Sequence, residues 1–121
     1  MKKKVLIVDD SLFMRSIIKK IVEKNGLEVI AEAQNGVEAI DKYKKYNPDY
    51  TFLDIIMEKM NGVEVLKEIV SYNPKATIIM CSSMGQQNYV IECIKHGAKD
   101  FIVKPFDESR FQFLLENLSE I

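Results

Sequence analysis

The sequence predicts a three-layer α/β/α sandwich around a five-stranded parallel sheet. Short apolar runs alternate five times with longer segments in which apolar residues recur at helical spacing. The first run, Val-Leu-Ile-Val at residues 5–8, contains no polar residue, which is typical of a strand that helices cover on both faces. The length of 121 residues is that of one domain, because single domains commonly contain roughly 100–150 residues.

Each predicted element has a local signal. The predicted strands are residues 5–8, 29–31, 50–53, 77–81 and 101–103. The helix after each strand has an apolar stripe, and these stripes consist of Phe13, Ile17, Ile18, Ile21 and Val22; Val37, Ile40 and Tyr43; Val63, Leu66, Ile69 and Val70; Val90, Ile91 and Ile94; and Phe111, Leu114, Leu115 and Leu118. Ser11 can cap the first helix and Gly26 ends it, whereas Asn35 opens the second helix, which stops before Pro48.

Composition excludes several classes of protein. Seventeen basic and eighteen acidic residues leave a net charge of −1, so no overall field attracts the chain to nucleic acid or to a membrane surface. The N-terminal Met-Lys-Lys-Lys is followed by an apolar run of only four residues, which is too short for a signal peptide or a membrane span. Two cysteines without a C-x-x-C pattern suit a reducing compartment. We therefore expect a small cytosolic domain.

Reactive side chains follow four of the five predicted strands. Asp9 and Asp10 follow the first strand, Asp54 the third, Ser82 the fourth and Lys104 the fifth. Because ligands of open parallel sheets bind beyond the carboxyl ends of the strands, these side chains are expected at one edge. Three carboxylates in one cleft need protons or a cation, and hard oxygen ligands suit Mg²⁺. A carboxylate beside Mg²⁺ and a lysine can attack phosphorus and form an aspartyl-phosphate.

Each signal also has a structural explanation. A single aspartate after a strand is more often a helix cap, a single serine is usually a loop hydroxyl, and a Lys-Pro pair is usually a turn. His96, the only histidine, stands just before Gly97 near a helix end, where the helix dipole favours a capping role. Motifs for a serine hydrolase or a nucleotide-binding loop do not occur. The prediction of a metal and phosphoryl site therefore depends on all of these polar residues following strands of the same sheet.

Four motifs, in order and at matching spacing, resemble those of the receiver domain of two-component response regulators. The motifs are Val8-Asp9-Asp10, Leu53-Asp54 followed by Met57 and Met60-Asn61-Gly62, Cys81-Ser82, and Val103-Lys104-Pro105-Phe106. The resemblance covers residues 4–118, and residues 13–15 and 84–87 are similar to the single-domain chemotaxis (CheY-like) branch. It implies a flavodoxin-like sheet of strand order 2-1-3-4-5 and a single receiver domain over residues 1–121.

The resemblance implies a phosphoryl acceptor and a metal site. Asp54 would accept a phosphoryl group from a phosphohistidine on a partner kinase. Asp10 and Asp54 would bind Mg²⁺ directly, Asp9 would act through a water molecule, and the backbone carbonyl of Ile56 would be a further ligand.

The resemblance also implies a switch. Ser82 would move to hydrogen-bond the phosphoryl group, Lys104 would pair with that group, and Phe101 would turn inward as Ser82 moves. The Lys104–Pro105 peptide bond would be cis, which only an X-Pro bond adopts at low energetic cost.

The sequence departs from the family pattern beside this site. Glu58 stands where the family usually has proline, so the surrounding loop is expected to be more mobile. Ile56 and Met84, two residues beyond Asp54 and Ser82, hold positions that tune the lifetime of the phosphoryl group in the family. Neither side chain can orient a water molecule, whereas Glu58 adds a carboxylate that could reach the site.

The leading interpretation is a phosphorylation-controlled binding module without an output domain, which is not an enzyme beyond accepting and slowly hydrolysing the phosphoryl group. The implied partners are a chemotaxis-type histidine kinase and a flagellar motor switch protein or an archaeal adaptor, with a phosphatase as a further candidate. The chain would act as a monomer. The implied partner face lies on the fourth helix, fifth strand and last helix, with Gln87, Tyr89, Phe101 and Phe113. A phosphatase or phosphotransferase with Asp54 as nucleophile and a phosphorelay intermediate remain alternatives.

Overall fold

The computed structural model describes residues 2–57 and 60–118. Strands and helices alternate throughout this part of the chain. The strands are β1 (Lys4–Val8), β2 (Glu28–Ala33), β3 (Tyr50–Asp54), β4 (Ile78–Ser83) and β5 (Asp100–Lys104). The helices are α1 (Leu12–Lys24), α2 (Gly36–Tyr46), α3 (Gly62–Tyr72), α4 (Gln87–Lys95) and α5 (Glu108–Leu118).

The five strands form one parallel sheet in the order β2-β1-β3-β4-β5, which confirms the expected fold. From β1 the chain continues to β2 at one edge of the sheet, whereas from β3 it continues through β4 to β5 at the opposite edge. The strand order therefore reverses between the neighbouring strands β1 and β3. This reversal opens a crevice at their carboxyl ends, where ligands of such sheets bind. The sheet therefore places the ends of β1 and β3 side by side at the predicted site.

The helices cover the sheet as two layers. Leu6 and Val8 of β1 belong to a core cluster with residues of α2, α3 and α4, whereas Val5 and Ile7 belong to a second cluster with residues of α1 and α5. Successive side chains of a strand point to opposite faces, so the apolar run at residues 5–8 supplies both cores. In the described part of the chain, no helix has the length and apolar character that crossing a membrane requires.

The predicted strand ends were placed too early. Asp54, Ser82 and Lys104 belong to β3, β4 and β5, because main-chain pairing continues past the apolar runs. In the ladder between β3 and β4, Asp54 is opposite Cys81, and in the next ladder Ser82 is opposite Val103. Backbone hydrogen bonding does not depend on side-chain polarity, so three site residues are held by the sheet itself rather than by loops.

Helix burial agrees with the predicted stripes at most positions. Phe111, Leu114, Leu115 and Leu118 of α5 are buried as expected, and Phe113 is 65% exposed. Four residues of the predicted stripes are instead exposed, which are Phe13, Val37, Ile91 and Ile94. In α4 the buried residues are Val90 and Cys93. Ile91 and Ile94 each lie one position later, about 100° around the helix, on a face that no neighbouring layer covers.

Candidate functional site

Three aspartates meet at the carboxyl ends of β1 and β3. Carboxylate oxygens of Asp9, Asp10 and Asp54 all lie within 4.8 Å of one another. Asp9 and Asp54 are buried, whereas Asp10 is exposed. The structure therefore brings together the three predicted carboxylates and leaves one side of the cluster open to water.

Lys104 reaches this cluster from the end of β5. Its ammonium nitrogen lies 2.9 Å from Oδ2 of Asp9 and 3.3 Å from Oδ1 of Asp54. Only 16% of the lysine side chain is exposed. Among the described residues, this ammonium group is the one cation that pairs with the three carboxylates, and it cannot neutralise all of them when they are ionised.

Burial and charge shift the pKa values of two of these groups. Burial raises the pKa of Asp54 to about 6, and the charges of Asp9 and Asp10 act in the same direction, while Lys104 opposes them. Burial alone would lower the pKa of Lys104, but its hydrogen bond to Asp9 and the charge of Asp54 raise that pKa above the ordinary value. The lysine is therefore a cation at neutral pH, and Asp54 is ionised there less completely than an ordinary aspartate.

The donor set fits Mg²⁺. Carboxylate oxygens are hard ligands, and Mg²⁺ commonly binds through one or two carboxylates while it keeps several waters. The exposed side of Asp10 leaves room for such waters. Ile56 follows β3 and is 46% exposed, and the role of its carbonyl as a ligand stays a prediction.

Gly62 lets the start of α3 approach the backbone of Asp54 and Ile55, a role that the sequence motifs did not predict. Its N–H donates a 2.5 Å hydrogen bond to the carbonyl oxygen of Ile55. A Cβ atom at Gly62 would collide with the carbonyl oxygen of Asp54 and lie 2.8 Å from Cα of Ile55. Only glycine therefore allows the start of α3 to pack against the end of β3. The available sequence signal was a glycine directly after Asn61, whose side chain caps α3.

Two of the three predicted switch residues, Ser82 and Phe101, line one apolar groove between α4 and β5. This groove has a volume of about 780 Å³, and Ser82, Met84, Gln87 and Phe101 are among its lining residues. Ser82 is 2% exposed, whereas Phe101 is 36% exposed. The groove therefore has a buried Ser82 and a partly exposed Phe101 in the same lining.

The remaining predicted residues lie beside the acidic cluster or on the predicted partner face of α4, β5 and α5, except Glu58. The Lys104–Pro105 peptide bond is cis, as the resemblance implied. Tyr89 and Phe113 are exposed on α4 and α5 and do not line the groove. Glu58 lies outside the described residues, so its expected effect on the loop stays a prediction.

Comparison with known proteins decides the family. A model of the response regulator receiver domain matches residues 5–116. The chain belongs to the response regulator receiver family. It is therefore the receiver domain of a response regulator in two-component signalling, and its three aspartates form the acidic cluster at which receiver domains typically bind Mg²⁺.

Several similar receiver proteins are chemotaxis proteins. The chain is 56% identical to the chemotaxis protein CheY of Bacillus subtilis (strain 168) over 110 residues, which cover 91% of this chain and 92% of that protein. It is 55% identical to CheY of Thermotoga maritima over 120 residues, covering 99% and 100% of the two chains. The CheX–CheY–BeF₃–Mg²⁺ complex from Borrelia burgdorferi includes a chain of 38% identity with a TM-score of 0.91, and the match covers 97% of this chain and 89% of that one. Receiver domains of this kind are generally signalling switches.

Proposed function

We propose that Asp54 accepts a phosphoryl group from a histidine kinase in the presence of Mg²⁺, and that the phosphorylated protein controls chemotactic motor output. Asp10, Asp54 and the carbonyl of Ile56 would hold the metal, with Asp9 acting through water. The observation that carries the proposal is the position of Asp54 at the end of β3, inside a three-aspartate cluster and 3.3 Å from the ammonium group of Lys104.

Hydrogen bonding supports Asp54 rather than Asp9 as the nucleophile. Both carboxylate oxygens of Asp9 accept hydrogen bonds, Oδ1 from the N–H of Ser11 at 2.9 Å and Oδ2 from Lys104 at 2.9 Å. Asp54 faces Lys104 through Oδ1, and no other described residue donates a hydrogen bond to its carboxylate. One oxygen of Asp54 is therefore available to attack phosphorus.

The transfer requires an ionised Asp54. A carboxylate oxygen of Asp54 forms the new bond to phosphorus while the bond from phosphorus to the histidine nitrogen of the kinase breaks, and the imidazole leaves with that electron pair. Lys104, already within reach of Asp54, stabilises the charge on the phosphoryl oxygens. Bound Mg²⁺ supplies further stabilisation of the same charge.

Phosphorylation then alters the groove between α4 and β5. The phosphoryl group adds a charge of about −1.5 to −2 and strong hydrogen-bond acceptors. Ser82 moves to donate its hydroxyl to this group, and Phe101 follows into the space beside it. The shared lining of the groove by Ser82 and Phe101 supports this coupling. The face with Gln87, Tyr89, Phe101 and Phe113 changes shape as a result.

The proposed partners follow from the relatives. A chemotaxis-type histidine kinase donates the phosphoryl group, and a flagellar motor switch protein or an archaeal adaptor binds the switched face. The complex of CheX with CheY, BeF₃ and Mg²⁺ from Borrelia burgdorferi supports both a metal site and a further protein partner, for which a phosphatase is our candidate. We propose a cytoplasmic monomer in which residues 1–121 form one receiver domain.

Mass spectrometry of protein incubated with acetyl phosphate and Mg²⁺ tests the acceptor. We expect one added phosphoryl group, located on the peptide that contains Asp54. Asp54→Asn should not be labelled, whereas Asp9→Asn should still be labelled at Asp54. Phosphate on Ser82 or His96 would overturn the proposed function.

A further inference from the structure

Arg15 connects the acidic cluster to strand β2. Its Nη1 donates a 2.7 Å hydrogen bond to the backbone carbonyl oxygen of Asp9, and its Nε donates a 3.0 Å hydrogen bond to Oε1 of Glu32. Only 12% of the arginine side chain is exposed. A guanidinium group offers several donors in a rigid plane, so these two bonds together fix its orientation.

The carbonyl that Arg15 binds belongs to the peptide group between Asp9 and Asp10. Because a peptide group is planar, fixing its oxygen also fixes the N–H and the Cα atom of Asp10. The Asp9 side of this peptide is already held, since the N–H of Asp9 donates to Ala33 at 3.0 Å. Arg15 therefore controls the remaining rotation of the peptide that determines where Asp10 points.

Asp10 depends on its backbone for this position. It is exposed, and within residues 2–57 and 60–118 its carboxylate accepts no hydrogen bond, in contrast to Asp9. A carboxylate without hydrogen-bond partners stays in the cluster only if the backbone directs it there. The orientation of the Asp9–Asp10 peptide group is thus the main constraint on this predicted metal ligand.

Glu32 in turn anchors Arg15. It lies in β2 opposite Ile7 of β1, so the sheet fixes its position. The ammonium group of Lys42 in α2 also donates a hydrogen bond to the backbone carbonyl of Glu32. The guanidinium group is therefore held between the residue that follows β1 and strand β2 rather than in solvent.

We propose that Arg15 is a positioning residue for the Mg²⁺ site, which orients the carboxylate of Asp10 through the Asp9–Asp10 peptide group. This inference rests on the proposed function, because it assumes that the cluster binds Mg²⁺. Partners that orient metal ligands commonly contribute 10–100-fold to metal affinity.

The sign of the effect separates positioning from simple electrostatics. Arg15 is a cation beside a cation site, so removing its charge without any structural effect would strengthen Mg²⁺ binding. Loss of positioning has the opposite consequence and weakens binding. A weaker Mg²⁺ affinity after removal of a nearby positive charge therefore indicates a change in ligand orientation.

The test is a calorimetric titration of the full chain with Mg²⁺. We expect Arg15→Gln to bind Mg²⁺ about ten-fold more weakly than the unmodified protein. Arg15→Lys keeps the charge but cannot make both hydrogen bonds, so it should also bind more weakly and gives a second measurement if Arg15→Gln does not fold. Lys24→Gln is the matched control, because Lys24 pairs with Glu108 at 3.6 Å at the other end of α1 and is exposed.

A second readout follows the peptide group directly. In metal-free protein, the amide NMR signal of Asp10 should shift in Arg15→Lys and not in Lys24→Gln. Unchanged or stronger Mg²⁺ binding in folded Arg15→Gln and Arg15→Lys would overturn the positioning role, even though the unmodified protein binds the metal. If the unmodified protein does not bind Mg²⁺, the proposed function fails and this inference fails with it.

Discussion

The ammonium nitrogen of Lys104 lies 3.3 Å from a carboxylate oxygen of Asp54, although 50 positions of sequence separate the two residues. The same nitrogen is 2.9 Å from Asp9. Among the described residues, Lys104 is the one cation that pairs with these three carboxylates, and protons and metal ions compete for the negative charge that it leaves unpaired.

We predict that Mg²⁺ affinity and the rate of phosphoryl transfer to Asp54 both fall as the pH falls through about 6. Burial raises the pKa of this carboxyl to about 6, and its protonated form neither binds the metal nor attacks phosphorus. Calorimetric Mg²⁺ titrations and initial labelling rates with acetyl phosphate between pH 5 and 8 measure both effects (roughly one pH unit below to two above this pKa). An affinity and a rate that stay constant across this range would contradict the prediction.

The same pKa predicts how Asp54 affects stability without metal. The folded protein binds the Asp54 proton more tightly than the unfolded chain does, so the contribution of this residue to the free energy of unfolding falls as the pH rises from the ordinary pKa of 3.8 to about 6. Asp54→Asn should therefore be more stable than the unmodified protein at pH 7, by about 1–2 kcal/mol. Urea unfolding of both proteins measures this difference at pH 4, which is near the ordinary pKa of 3.8, and at pH 7, which is above the folded-state pKa of about 6.

We predict that Mg²⁺ stabilises the folded protein by about 1–2 kcal/mol at tens of Kd. Asp10→Ala should lose most of this gain, because it removes a carboxylate that points into the cluster. Asp41→Ala removes an exposed carboxylate of α2 instead and should keep the full gain. Thermal unfolding with and without millimolar Mg²⁺ provides the measurement, and a melting temperature that does not respond to Mg²⁺ would argue against the site.

We predict a long-lived phosphoryl group, because neither Ile56 nor Met84 can orient an attacking water. The double substitution Ile56→Asn with Met84→Glu should increase the dephosphorylation rate by roughly ten-fold, since polar side chains can position that water. These side chains are 46% and 82% exposed, so the substitutions leave the core intact. The rate is followed after removal of the phosphodonor, with Ile56→Leu and Met84→Leu as apolar controls. A double variant that keeps its phosphoryl group longer would refute the explanation.

We predict that Phe113 or Tyr89 contributes to binding of the motor-side target. The side chains are 65% and 44% exposed on α5 and α4, and truncation of an aromatic contact in an interface commonly costs about 1–2 kcal/mol, or roughly ten-fold in Kd. Phe113→Ala and Tyr89→Ala should accept phosphate normally and bind the target more weakly. Tyr46→Ala, on the exposed surface of α2, should bind unchanged. Equal affinity of both variants and the unmodified protein would show that neither aromatic is part of the face.

Local patterns in the sequence determined the elements and much of the site. Helical spacing was sufficient for α5, where the predicted stripe is buried and Phe113, which lies outside that stripe, is exposed. The alternation of strands and helices made a parallel sheet the expected arrangement, and the rule for ligand binding in such sheets placed Asp9, Asp10 and Asp54 at one edge. The stripe could be predicted because it depends on neighbours within one or two helical turns, and the shared edge because ligands of open parallel sheets bind at the carboxyl ends of the strands.

Only the tertiary structure decided which faces are covered and which distant groups meet. Ile91 and Ile94 fit the helical period of α4, but no layer packs on their side of the helix, so they remain exposed. Arg15 reaches Glu32 across 17 positions and Lys104 reaches Asp9 across 95. The raised pKa of Asp54 results mainly from burial, which follows from packing around the residue and not from its position in the chain. Hydrophobic spacing describes one element at a time, whereas these contacts and this burial exist only after the sheet has brought the ends of β1, β2, β3 and β5 together.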